Sequence, residues 1–181
     1  MNPLKLMDKY YKKDSESYKR LIIHSKQVMG KALNLAKKVK HLHPDLEFIK
    51  EAAMLHDIGI FLTNAQGIGC HGSKKYICHG YLGRKLLEKE GFPKHGLVCE
   101  RHVGVGITKE EIIKNDLPLP KRDMFPVTVE EKIIAYADKF FTKSHNKGSK
   151  ELSLSEVRKS LEKFGEDKLK RFEGWRKLFG A

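Results

Sequence analysis

Between residues 15 and 39, Leu21, Ser25, Val28, Ala32, Leu35 and Val39 recur at three- and four-residue steps with lysines opposite, which predicts one long amphipathic helix. His24, three after Leu21 and four before Val28, falls on its buried face. Pro44 cannot continue that helix, and Asp45 and Glu47 suit the first turn of a second, over about 45–57. Leu46, Ile49 and Ala53 form its apolar stripe, flanked by His56 and Asp57, and Gly59 stops it. Residues 60–72 hold three glycines and no helical period, so a loop is expected. Ser73 opens a helix to about residue 90, with His79, Leu82, Gly83, Leu86 and Leu87 on one face. Phe92-Pro93 starts a shorter one whose inner positions include Val98 and His102.

Capping boxes at Thr108–Glu111, Thr128–Glu131 and Ser153–Glu156 start three more helices. The Thr128 helix carries Ile133, Ile134, Ala137, Asp138 and Phe141, and Asp138 lies where the pattern predicts burial. Prolines 118, 120 and 126 constrain the loop over 115–127, and Ser144 to Lys150 reads as a polar linker. The last segment, with Leu169, Phe172, Trp175, Leu178 and Phe179, is amphipathic, and either covers the core or forms a dimer contact. No strand pattern or internal repeat stands out. The expected class is all-α: a core unit over 1–142 and a basic C-terminal helical extension, 143–181, packing on the same domain.

A chain of 181 residues suits one well-buried domain. No stretch approaches the roughly 20 apolar residues of a membrane span, and the N-terminus lacks the apolar core of a signal peptide, so a cytoplasmic location is expected. Cys70, Cys78 and Cys99 are odd in number and lack CxxC spacing, which argues against a disulfide framework. The net charge of +13 is concentrated at the two ends: residues 1–40 carry 11 Lys/Arg against 3 Asp/Glu, and 143–181 carry 11 against 6. Such ends attract polyanions. No aromatic-interleaved basic stripe accompanies them, so a solvated lysine surface outweighs nucleic acid as the reading, and a membrane partner is not expected.

Six polar side chains on five predicted helices therefore point inward: His24, His56, Asp57, His79, His102 and Asp138. A lone inward histidine is an ordinary core residue. Several imidazoles and two carboxylates buried without a cation would be severely destabilising, and imidazole with carboxylate is the donor set of borderline divalent metals. A metal centre is the better explanation. A zinc site from Cys70, His71, Cys78 and Cys99 lacks the close ligand pairs of structural zinc, and Gly67, Gly69 and Gly72 match no phosphate loop.

His24, His56-Asp57 and Asp138 resemble the H…HD…D signature of HD-superfamily metal-dependent phosphohydrolases, with His56-Asp57-Ile58-Gly59 similar to its HDIG form. The likeness spans about residues 20–142. His79-Gly80-x-x-Gly83 and Arg101-His102 resemble the extra ligands of the two-metal branch that includes diadenosine-polyphosphate hydrolases. The GYP-type tripeptide and His-His pair usual in cyclic-dinucleotide phosphodiesterases are missing from the chain.

The resemblance implies an HD-domain helical bundle with additional C-terminal helices. It implies one metal on His24, His56, Asp57 and Asp138 and a second on Asp57, His79 and His102, with Asp57 bridging. Two divalent transition ions are expected, iron or manganese first, with nickel, cobalt or zinc also suited. The implied reaction is cleavage of a nucleotide or dinucleoside polyphosphate by a metal-bridging hydroxide. Asp57 and Asp138 are the catalytic carboxylates, and Lys75 and Arg84 the favoured cations for the phosphate. The alternative is a non-catalytic nucleotide or nucleic-acid binder with a structural metal centre, as a monomer or homodimer.

Overall fold

The computed structural model describes residues 1–143 and 150–180. Nine helices occupy the described residues, and the only strands there are the two-residue pair β1 (Asn64–Ala65) and β2 (Cys70–His71), so the class is all-α. The expected linker over 144–150 lies, apart from Lys150, outside the described residues.

Helix α1 (Pro3–Tyr10) has no counterpart among the sequence expectations; Asn2 caps it, Pro3 opens it, and it buries Leu6 and Met7. Tyr11 follows, and its hydroxyl donates to the Ile58 carbonyl (2.8 Å), fixing α1 beneath the segment after the HD pair. Helix α2 (Glu16–Lys38) is the predicted long helix, capped by Ser15, and it buries Leu21, His24, Ser25, Val28, Ala32 and Leu35 as the period requires. Helix α3 (Leu46–Leu55) ends two residues before its expected limit, and a 3₁₀ turn follows over Ile58–Leu62.

Helix α4 (His79–Lys89) starts six residues later than Ser73. Backbone hydrogen bonds explain the delay: Gly72 donates to Thr63, Lys74 to Leu62, and Asn64 to Lys74, so residues 72–74 run extended beside 62–64 and are unavailable to a helix. Helix α5 (Pro93–Arg101) follows, then α6 (Lys109–Lys114) and α7 (Val129–Asp138), the last two opened by the predicted capping boxes. Helices α8 (Leu154–Glu162) and α9 (Glu166–Phe179) complete the described chain.

Helices α2, α3, α7, α8 and α9 share one hydrophobic core, which includes Val28, Ile49, Ile133, Tyr136, Val157 and Phe172. Of the two fates open to the last helix, it takes the first and covers that core: Phe172, Trp175 and Phe179 are buried, and Phe172 stacks on Tyr136 with ring centroids 4.8 Å apart. Lys168 reaches the Gly106 carbonyl (2.7 Å) and Arg171 the Val105 carbonyl (2.9 Å), tying α9 to the turn after His102. A second core under α1 and α4 joins Met7, Tyr11, Leu55, Ile58 and Leu87. The HD pair lies between the two.

Because α9 supplies a fully buried ring to the main core, Phe172→Ala is expected to lower unfolding stability by about 3–5 kcal/mol in one cooperative transition. Urea denaturation followed by circular dichroism checks this. A separate early transition would show the C-terminal helices folding as an independent unit.

Candidate metal centre

Adjacent helical residues point about 100° apart, so His56 and Asp57 could not face one point on a regular helix. The chain avoids the conflict at Asp57, whose backbone leaves the helix (φ −107°, ψ 9°), a conformation common at functional sites. Both side chains are fully buried. His24 reaches them from the middle of α2, Asp138 from the end of α7, His79 from the first residue of α4 and His102 from the residue that caps α5.

Two glycines make this approach possible. A Cβ on Gly59 would lie 2.3 Å from the His79 carbonyl oxygen and 2.5 Å from the Gly83 nitrogen, so only glycine lets the HD turn lie against α4. A Cβ on Gly80 would lie 2.6 Å from the Cys99 carbonyl oxygen, so Gly80 sets α4 against α5 and His79 beside His102.

Three of the imidazoles are held alike. His56 Nδ1 lies 2.7 Å from the Ala53 carbonyl, His79 Nδ1 2.7 Å from Tyr76 and His102 Nδ1 2.7 Å from Cys99. A carbonyl only accepts, so each Nδ1 carries a proton and each ring turns its Nε2 inward. Those Nε2 atoms nearly meet, at 3.3 Å for His24 and His56 and 3.2 Å for His79 and His102.

Asp57 stands between the pairs. Its Oδ2 is 3.2 Å from His24 Nε2 and 3.1 Å from His56 Nε2; its Oδ1 is 3.3 Å from His79 Nε2 and 3.4 Å from His102 Nε2. Asp138 Oδ1 lies 3.0 Å from His24 Nε2. Neither Asp57 oxygen has a well-aligned hydrogen bond. The six residues thus fall into two buried groups sharing Asp57: His24, His56, Asp57 and Asp138, and Asp57, His79 and His102. Ring nitrogens and carboxylate oxygens that converge on two buried points are the arrangement a cation completes, and the imidazole–carboxylate set fits a divalent transition metal.

The electrostatics divide the imidazoles. Burial lowers the His56 pKa, but Asp57 and Asp138 outweigh burial and bring it up to about 9. For His102 burial prevails and the ring falls to about 4. Burial would raise both carboxyls, yet Lys143 and His56 hold Asp57, and Lys139 and Lys143 hold Asp138, well below the usual carboxylate range.

Those two lysines are the functional candidates that sequence reasoning missed. Lys139 Nζ is 2.7 Å from Asp138 Oδ2, and Lys143 Nζ is 2.6 Å from Asp57 Oδ2. They line a cavity of about 290 Å³ with Tyr76, His79, His102 and Phe141, and Leu152 and Ser160 of the C-terminal part add to its wall. The signal available in the sequence was a lysine immediately after Asp138 and another at the end of the apolar Phe140-Phe141-Thr142 run. The two cations expected from sequence are placed elsewhere. Lys75 is exposed and outside the cavity lining. Arg84 binds Glu88 (2.7 Å) and the buried Glu100 (2.5 Å), which also pairs with Arg122, so it belongs to a structural ion-pair network. Cys70, Cys78 and Cys99 are buried free thiols outside both donor groups, and His71 is exposed.

Residues 21–143 match the HD domain family. The chain is 41% identical over 132 residues to an uncharacterised protein of Methanocaldococcus jannaschii, an alignment covering 72% of this chain and 68% of that one. It is 35% identical over 160 residues to a tRNA (cytidine(56)-2'-O)-methyltransferase of Thermoplasma volcanium, covering 88% of this chain but only 40% of that protein. A protein of the same description from Picrophilus torridus is 39% identical over 95 residues, or 52% of this chain and 24% of that one. Among solved structures, the HD domain of the L. monocytogenes phosphodiesterase PgpH superposes with a TM-score of 0.52 at 15% identity, covering 86% of this chain and 89% of that one, a likeness of fold. No helix among the described residues is long and apolar enough to cross a membrane.

The placement of Arg84 makes its substitution a control. Arg84→Ala leaves Glu100 with Arg122 alone and is expected to cost about 1–2 kcal/mol of stability while leaving bound metal unchanged. Metal analysis beside thermal unfolding checks this, and metal loss at normal stability would return Arg84 to the site.

Proposed function

The chain belongs to the HD domain family, and from that premise we propose that it is a metal-dependent phosphohydrolase acting on a nucleotide or a dinucleoside polyphosphate. The observation that carries the reading is the Asp57 carboxylate, whose two oxygens face different groups of buried imidazoles. His24, His56, Asp57 and Asp138 would hold one ion, and Asp57, His79 and His102 a second, with iron or manganese favoured and nickel, cobalt or zinc suited to the same donors. Bound there, such ions lower the pKa of a coordinated water and neutralise charge on the phosphoryl group.

The remaining work falls to the chain's own residues. Lys139 and Lys143 put two ammonium groups on the cavity wall, where phosphate oxygens are their natural partners. Lys139 holds Asp138 Oδ2, which turns Oδ1 toward His24 and the first ion position, from where this carboxylate could orient the nucleophile. Tyr76 and Phe141 offer ring faces or edges to a base.

A second groove of about 280 Å³, on the outer side of α2, is lined by Gln27, Lys31, Asn34, Lys38, Phe141 and Glu151. It shares Phe141 with the cavity at the centre, which supports a substrate whose second nucleotide unit crosses that ring.

A second reading, a non-catalytic RNA-binding module, is favoured by the likeness to two proteins described as tRNA methyltransferases and by the basic ends of the chain. Under it, oligonucleotide binding falls steeply with salt and no phosphate substrate turns over with Mn²⁺ or Fe²⁺.

For anaerobically purified protein screened for phosphate release across nucleotides and dinucleotides, His56→Ala and Asp57→Ala are expected to lose bound metal and about 10³-fold or more in rate. His79→Ala is expected to keep one ion and a residual rate. Undiminished hydrolysis by a metal-free His56→Ala/Asp57→Ala double variant would falsify the hydrolase reading.

A further inference from the structure

Lys143 is held at both its backbone and its ammonium group. Its carbonyl accepts from Arg20 Nη1 at 2.9 Å, which anchors the backbone to α2. Its side chain is 13% exposed, and Nζ sits 2.6 Å from Asp57 Oδ2. That oxygen is also the one that His24 and His56 face. The hydroxyl of Tyr76 lies within reach of the same ammonium group, and Tyr76, Thr142 and Lys139 line the cavity outside it.

An ammonium group and a divalent ion at one carboxylate oxygen repel one another strongly in a buried site. The donor set nevertheless places both at Asp57 Oδ2. The ammonium has somewhere to go, because its four-carbon stem is flexible and the cavity with its Tyr76 hydroxyl adjoins.

Resting on the metal-centre reading above, we propose that Lys143 is a tethered cation that competes with the first metal for Asp57 Oδ2 and, once displaced by it, binds the phosphoryl group of the substrate in the adjoining cavity. The lysine has two consequences. It offsets the charge of Asp57 and Asp138 before loading, keeping the ligands assembled. After loading it is confined to the cavity, where an anion is the partner that suits it. Metal entry and phosphate recognition are then linked through one side chain.

The test is calorimetric titration of Mn²⁺ into the metal-stripped full chain, for wild type, Lys143→Met, Lys143→Gln and Lys143→Arg. The neutral variants are expected to bind Mn²⁺ about tenfold tighter or more, while Lys143→Arg, which keeps the charge, stays near wild type. The metal-free neutral variants unfold at lower temperature than metal-free wild type, and saturating Mn²⁺ narrows the gap. In the Mn²⁺-loaded proteins, inorganic phosphate binds about tenfold more weakly to Lys143→Met and Lys143→Gln. Equal or weaker Mn²⁺ affinity in folded neutral variants overturns the proposal and leaves the metal centre standing. Absence of Mn²⁺ binding in all four proteins overturns the two together.

Discussion

The structure depends on one electrostatic constraint: four imidazoles and two carboxylates are buried together, with ring nitrogens and carboxylate oxygens turned toward two common points. Three of the rings are fixed in that orientation, because their Nδ1 protons are committed to the carbonyls of Ala53, Tyr76 and Cys99. Lys143 and Lys139 supply part of the missing positive charge. A divalent cation supplies it more completely, since it satisfies several lone pairs at once. The rest of the fold can be understood as what is needed to hold five elements at that point.

Packing provides the holding. Helix α2 runs through the main core and carries His24 on its buried face, while α7, locked against it by Tyr136 and the rings of α9, brings Asp138. On the other side, the contact of Gly59 with α4 and of Gly80 with α5 places His79 and His102 within reach of Asp57. Side chains in these glycine positions would separate the two halves of the centre, although neither glycine is a ligand. The C-terminal part contributes twice: Phe172 and Phe179 of α9 join the main core, and Leu152 and Ser160 wall the cavity beside Asp138. The wall of that cavity is therefore shared between residues matched to the HD family and the segment beyond them.

Helical period and capping boxes made most of this architecture legible in the sequence. The buried face of α2 with His24, the starts of α6, α7 and α8 and the burial of Asp138 follow from spacing and caps, whereas the convergence of His56 and Asp57 needs the backbone to leave the helix at Asp57. What was not legible depended on contacts distant in the chain. Helix α1 is short, and what holds it is distant in the chain: Leu6 and Met7 join the core that contains Ile58, and Tyr11 after the helix bonds the Ile58 carbonyl. Residues 72–74 carry no strand pattern and are drawn into pairing by 62–64. The lysines that lie against the two carboxylates were hidden for the same reason. Arg84 lies one turn from Gly80 in sequence, yet Glu100 and Glu88 claim it, whereas Lys143 lies beyond α7 in a stretch without periodicity and is aimed at Asp57 by the course of the chain.

Asp57 belongs to both buried donor groups, and the proposed centre has a metal position on each side of it. Crystals of the full chain grown with Mn²⁺ and measured near the manganese absorption edge test this directly. Two anomalous peaks about 3.5–4 Å apart, one on each side of the Asp57 carboxylate, are the expected result. Well-ordered crystals with no anomalous density within bonding distance of Asp57 would contradict it.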